Sequence, residues 1–299
     1  MEFSVLNPKY VDAIRVFLGE CIEKNINEKK YNRTLRDDVM AILEEHSTVV
    51  YYPLEGESNY GFLIKGFTLA VAAEPQNFVF INTAKNTENQ AFAAAHELGH
   101  IWGLTEYFSE KNIELDRANE ERAMNRFAAM LMMPKDHFNR KFDELLDKCF
   151  KDKDKGNTRI DIPVFMSIVA HLMNEYFVPA ESVIWRMCEL DRLPKETAEV
   201  LVEEMDKKED SYLNKLIQKS VLDAGFTKLL KPSRKKWINE LPELLSICEK
   251  KGTLTHSKIK ALREQFDISE DMLPDEEYVK KWKNGVQMNE RGSERKSCN

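Results

Sequence analysis

The sequence predicts an α+β fold. A small antiparallel sheet packs on a helix carrying the pattern H-E-x-x-H and on a second, glutamate-bearing helix, and a mainly α-helical C-terminal region follows. Three observations lead there. Between residues 47 and 82 the chain holds short β-branched or aromatic runs separated by Gly, Pro and Asn. Residues 87–104, TENQAFAAAHELGHIWGL, then read as one helix. Most of the remainder repeats its apolar residues at helical spacing. Within 299 residues we expect a core with N-terminal helices over residues 1–135, a segment of helix-turn-helix outline over 136–193, and a helical region with a basic, disordered tail over 194–299.

In chain order, residues 8–45 read as a pair of packing helices. Val11, Ile14, Val16, Phe17, Cys21 and Ile22 recur near helical spacing, and a polar stretch separates them from Val39, Ile42 and Leu43. STVVYY, GFTLAVAA and NFVFIN are the expected strands. Glu74, Pro75, Gln76 and Asn77 supply turn chemistry between the second and third, so an antiparallel hairpin is expected. Such a sheet edge beside a helix could pair with an extended peptide.

The helix that follows opens with Thr87 and Gln90 at capping-box spacing, and Ala91, Ala93, Ala94 and Ala95 favour helix and permit close approach. Gly99, which costs about 0.5–1 kcal/mol relative to Ala in a helix, implies that something packs close to that face. A polar connection over residues 105–113 leads to DRANEERAMNRFAAMLMMP, a second helix stopped near Pro134. Residues beyond it are charged and helical up to a Lys-, Asp- and Gly-rich loop at 151–157. Residues 163–193 form two helices broken near Val178 and Pro179, an outline found in plain packing as often as in DNA recognition. Helical periodicity returns at 200–205, 212–222 and 259–266, before a tail with Lys280, Lys281, Lys283, Arg291, Arg295 and Lys296.

Composition narrows the function. Lys and Arg number 44 against 51 for Asp and Glu, and the net charge of -7 argues against a protein that grips nucleic acid over its whole surface. Five scattered cysteines, Cys21, Cys149, Cys188, Cys248 and Cys298, form no C-x-x-C pair. They point to reduced thiols in a cytosol rather than a disulfide framework or a cysteine-based zinc site. No secretory signal opens the chain and no apolar run is long enough to span a bilayer. A cytoplasmic protein away from membranes is expected.

The chemistry resides in His96, Glu97 and His100. On a helix the two histidines fall on one face, about a turn apart, where both imidazoles reach a single cation. Hydrolytic zinc sites take three protein ligands and leave the fourth position to water. Glu121 is the candidate third ligand, weighed against Glu114 in the connection and Glu120, which points about 100° away on a helix. Register with Asn125, four residues on and able to orient a ligand, favours Glu121. Glu97, angularly displaced from the ligands, can take a proton from a water whose pKa a metal lowers to about 7, and return it to a leaving amine. Tyr107 or another histidine is a candidate oxyanion donor. His46, His137, His171 and His256 have no comparable context.

These residues resemble the ImmA/IrrE family of metallopeptidases, which pair a HELGH helix with a motif E-x-x-A-N-x-F-A-A-x-L-L-M-P. The first motif stands intact at residues 96–100. The second reads ERAMNRFAAMLMMP over 121–134, with Met124 for Ala and Met132 for the second Leu. VPAESVIWRM is similar to the family's V-S-x-x-A-V-x-x-R-L, with Pro179, Ser182 and Met187 as departures. The resemblance covers roughly residues 40–193. It implies that Glu121 is the third ligand beside His96 and His100, that the metal is Zn2+, with Mn2+ or Fe2+ compatible with the ligand types, and that Glu97 is catalytic. It further implies an endopeptidase whose partner is a helix-turn-helix regulator encoded nearby. A different class of protein, a sensor or toxin-antitoxin module acting by binding through the C-terminal region, is the alternative. Glu97 argues against it, because a purely structural metal site does not need that carboxylate.

Overall fold

A computed structural model describes residues 6–26, 34–57, 60–67, 76–149, 160–207 and 211–269. In chain order its elements are α1 (Pro8–Asn25), α2 (Asp38–His46), β1 (Thr48–Tyr52), β2 (Gly61–Phe67), β3 (Gln76–Asn82), α3 (Thr87–Ile101), α4 (Leu104–Glu110), α5 (Arg117–Met132), α6 (Lys135–Cys149), α7 (Ile162–Tyr176), α8 (Ala180–Glu189), α9 (Lys195–Asp206), α10 (Tyr212–Asp223), β4 (Trp237–Ile238), α11 (Leu241–Lys251) and α12 (His256–Gln265). The α+β class follows the expectation. The loop at 151–157 and the basic tail lie outside the described residues.

The sheet differs from the expected antiparallel one. Its order is β2-β3-β1-β4, with β2 antiparallel to β3 but β1 parallel to β3. After β1 the chain runs to the far edge, and the hairpin brings β3 back into the vacant central place, pointing the same way as β1. The second strand also begins earlier than GFTLAVAA; only Gly66 and Phe67 of that run fall in β2, and residues 68–75 lie outside the described set. Gln76 and Asn77, expected in the turn, already belong to β3.

One face of the sheet lies on α3. Val49, Tyr51, Val79 and Ile81 are fully or almost fully buried, in the period-two alternation a half-buried strand requires. The alanines of α3 let it approach closely. A Cβ on Gly61 would meet the Phe80 carbonyl oxygen at 2.9 Å and the Ala93 methyl at 3.6 Å, so β2 starts where only glycine fits. On the other face, Leu245, Phe266 and Ile268 pack with Tyr52 and Trp237, so α11 and α12 cover the β1–β4 side. Phe62 and Ile64 of β2 stay exposed there.

Where a polar connection was expected, Gly103 (φ 90°) turns the chain in the left-handed region, and α4 then buries Leu104 and Phe108, one turn apart. The pair of helices expected over 163–193 is present as α7 and α8. They are joined through Phe177 in the left-handed conformation. Arg36 donates to the Asn174 and Glu175 carbonyls that end α7, a cation where the helix dipole favours one. Ser182 to Met187 of α8 are all buried.

Residues 228–239 form a strap that ties the C-terminal region to the sheet and to α3. Leu230 N–H donates to Glu88 Oε2 (3.0 Å), Thr87 N–H to the Lys231 carbonyl (3.0 Å), and Arg234 N–H to the Thr83 carbonyl (2.9 Å). The strap ends as β4, antiparallel to β1. Thr87 and Gln90 therefore do not form the expected capping box. The N-cap is Asn86, without a side-chain cap bond. Thr87 Oγ1 donates to the Lys228 carbonyl (2.7 Å), and Gln90 donates to the Lys85 carbonyl (2.6 Å) while accepting from Ser233 (2.8 Å). The strap offers these side chains better-placed partners than the helix end does.

Candidate metal centre

Helix α3 is buried along most of its length, and His96, His100 and the terminal Ile101 are its partly exposed positions near the C-terminal end. Their rings lie 5.2 Å apart between centroids, as one-turn spacing demands. Helix α5 crosses α3 at Gly99. A Cβ there would meet Met124 Sδ at 2.9 Å and Phe127 Cδ1 at 3.0 Å, so the glycine allows the approach that brings the next turn of α5 to the histidines.

That approach sets the site. Ligand atoms of His96, His100 and Glu121 all lie within 4.8 Å of one another, and His96 Nε2 stands 3.3 Å from Glu121 Oε2. On the other side of the ring, His96 Nδ1 is 2.8 Å from Asn125 Oδ1. An amide oxygen only accepts, so this contact places a proton on Nδ1 and leaves Nε2 as the ligand atom of the neutral ring. Two imidazole nitrogens and a carboxylate are a donor set suited to zinc. The Glu121 side chain is 53% exposed and that of His96 14%, so the site opens to solvent on the α5 side.

Charge at the site is mutually adjusted. Burial acts to lower the His96 pKa, but the hydrogen bond with Glu121, the nearby Glu97 carboxylate and the Asn125 contact hold it above the ordinary value. In its doubly protonated form His96 donates from Nε2 to Glu121, and this bond keeps the Glu121 carboxyl below the usual carboxylate range. Glu97 is 5% exposed; burial pushes its carboxyl up to about 7, His96 opposes and Glu121 adds to the rise.

The structure thus brings together His96, His100 and Glu121, with Glu97 buried beside them. The weighed alternatives go elsewhere: Glu120 accepts from Thr105 Oγ1 at 2.6 Å, and Glu114 sits in the turn after α4, its carbonyl accepting from Tyr10. Tyr107 packs its ring on Phe17 at 5.0 Å, with the Lys111 ammonium over its face. His137 meets Tyr176, His171 meets the Ser167 carbonyl and Phe226, and His46 meets Trp102. The strap's hold on Glu88 was missed, since backbone bonds to residues more than a hundred positions away leave no pattern in a sequence.

Residues 45–183 match the family model Peptidase_M78, described as the IrrE N-terminal-like domain. This agrees with the family resemblance drawn from the motifs, and the matched stretch contains every residue of the site. The model it matches is that of a metallopeptidase-type domain. The strap and α9 to α12 lie outside the match. No curated protein matches the chain.

Proposed function

We propose that this protein is a zinc-dependent endopeptidase that hydrolyses a peptide bond in a specific regulatory protein, with His96, His100 and Glu121 as metal ligands and Glu97 as the proton carrier. The observation that carries the reading is the convergence of three ligand atoms within 4.8 Å beside a carboxylate that is 5% exposed. A purely structural metal site has no use for that carboxylate.

A divalent ion held there supplies Lewis acidity, which lowers the pKa of water to about 7 and polarises a peptide carbonyl. The chain's own groups do the rest. Asn125 fixes the ring of His96, and Gly99 lets α5 deliver Glu121. Glu97 accepts the proton of the attacking water at its carboxylate and gives it to the leaving amine. Strand β2 is an edge of the sheet among the described residues and lies against α3, so an extended substrate pairing with it would run past the site. A cytoplasmic helix-turn-helix regulator encoded nearby is the substrate class this reading favours. Direct DNA binding is disfavoured by the burial of α8 and the net charge of -7. No helix among the described residues is long and apolar enough to cross a membrane.

The test is co-expression with the product of the neighbouring gene, comparing wild type and Glu97→Gln by mass spectrometry of fragments. Fragments formed only by wild type, with equal zinc content in both proteins, support the reading. Equal cleavage by Glu97→Gln overturns the proton-carrier role. Zinc content that survives Glu121→Ala but falls in Glu120→Ala would reassign the third ligand.

A further inference from the structure

On the face of α5 next to the one bearing Glu121 and Asn125, a cavity of about 600 Å3 opens between α1, α5 and α8. Val11, Arg122, Arg126, Trp185, Cys188 and Leu193 contribute to its wall. Beneath it two guanidinium groups share a single carboxylate. Glu189 receives Arg126 on Oε1 and Arg186 on Oε2, and Arg186 also donates from Nε to the Met133 carbonyl at 3.0 Å. The Arg126 and Arg186 side chains are 12% and 3% exposed. Guanidinium does not release its proton near neutral pH, so two buried positive charges face one negative charge. An unbalanced buried charge is costly unless something compensates it.

Among the described residues, the other acidic groups at the rim do not supply the balance. Arg192 is paired with Asp143 through bonds of 3.0 and 3.1 Å, and Lys195 with Glu199 at 3.5 Å. Asp191 also borders the cavity but is exposed, where solvent screens it. Two donors, Arg126 Nε and Trp185 Nε1, are buried without a hydrogen-bond partner among the described residues, and both side chains line the cavity. The wall therefore combines surplus positive charge, idle donors and an apolar, aromatic lining. That is the complement of an anion carried on an apolar body.

We propose that this cavity binds a small organic anion, a phosphate or carboxylate on an aromatic or aliphatic body, with the anionic group at Arg126 and the body against Trp185, Val11 and Leu193. The site stands apart from the hydrolytic reading and does not depend on it.

Cys188, half-buried in the same wall, reports occupancy. The experiment alkylates the full chain with iodoacetamide and follows each cysteine peptide by mass spectrometry, with phenyl phosphate, benzoate or uncharged phenol added. Binding slows Cys188 alkylation saturably with phenyl phosphate, benzoate or both, by about tenfold at a concentration about ten times Kd. Phenol has no such effect, and exposed Cys149 on α6 is unaffected. The two anions distinguish a phosphate from a carboxylate ligand. Arg126→Gln, which leaves Arg186 and Glu189 as a balanced pair, loses the protection, and Arg126→Lys keeps part of it. Should circular dichroism show Arg126→Gln unfolded, Leu193→Glu at the half-buried rim replaces it and must likewise abolish protection. Absence of saturable protection by either anion overturns the proposal, as does equal protection by phenol or undiminished protection in the folded variant.

Discussion

The two ends of α3 are held by different physics. Its C-terminal half is locked by side-chain packing across Gly99, where α5 brings Glu121 to the histidines. Its N-terminal end is held by hydrogen bonds to a strap that arrives from residues 228–235. Packing at a crossing is unforgiving, because interiors have no spare volume. Hydrogen bonds at a partly solvated helix end exchange with water and contribute modestly. Damage at the crossing should therefore cost both stability and metal, whereas damage at the strap should cost a little stability and leave the metal alone.

The largest effect is expected from Gly99→Leu. Any Cβ at this position meets Met124 and Phe127 at 3.0 Å or less, and a Leu side chain adds volume that the ring of Phe127 cannot yield. A loss of about 3 kcal/mol in urea denaturation is expected, together with loss of bound zinc by elemental analysis. A variant of near-wild-type stability and full zinc content would remove the crossing from its place in this comparison. Next in size is Asn125→Leu. Without its partner on Nδ1, the His96 ring is no longer held for ligation, and zinc affinity measured by chelator competition should fall about 10- to 100-fold. Secondary structure by circular dichroism should not change, and unaltered affinity would show that Asn125 serves packing only.

Part of this contrast was legible in the sequence. His96 and His100 were readable because helical spacing converts directly into a shared face, and Gly99 because a helix tolerates glycine only for a reason. Glu121, on the next long helix, followed from its register with Asn125 and from the family motif. Thr87 and Gln90 misled for an instructive reason: their spacing satisfies a local rule, yet strap carbonyls and Ser233, far away in sequence, supply their actual partners. The direction of β1 relative to β3 was likewise invisible, since a hairpin pattern specifies which strands are neighbours in sequence and not which strand takes the central place. Residues 237–238 are too short a run to announce themselves as β4.

The strap side is probed by pH. Glu88 is 1% exposed; burial raises its pKa, while the Leu230 N–H and other bonds oppose the rise. The folded protein consequently holds this proton more tightly than the unfolded chain does. The stability this adds is complete below the ordinary carboxylate value of 4.5 and is lost as pH rises through the higher folded value. Glu88→Gln keeps an acceptor for Leu230 and cannot ionise. Its stability relative to wild type should rise across that window, with zinc content unchanged. A pH-independent difference in urea midpoint would mean that Glu88 ionises as freely folded as unfolded.

The smallest expected effect is that of Thr87→Val, and it separates the two ends most sharply. The substitution keeps the shape of the side chain and deletes only the hydroxyl that donates to the Lys228 carbonyl, while the Thr87 N–H to Lys231 bond remains. The Lys228 carbonyl can turn to water, so the loss is that of one neutral hydrogen bond, about 1 kcal/mol. Hydrogen exchange should show it locally, with faster exchange of the Leu230 amide and the first turn of α3 and no change at residues 96–100. Faster exchange at His96 and His100 would mean that the strap and the crossing act as one cooperative unit, and that the strap also governs the metal centre.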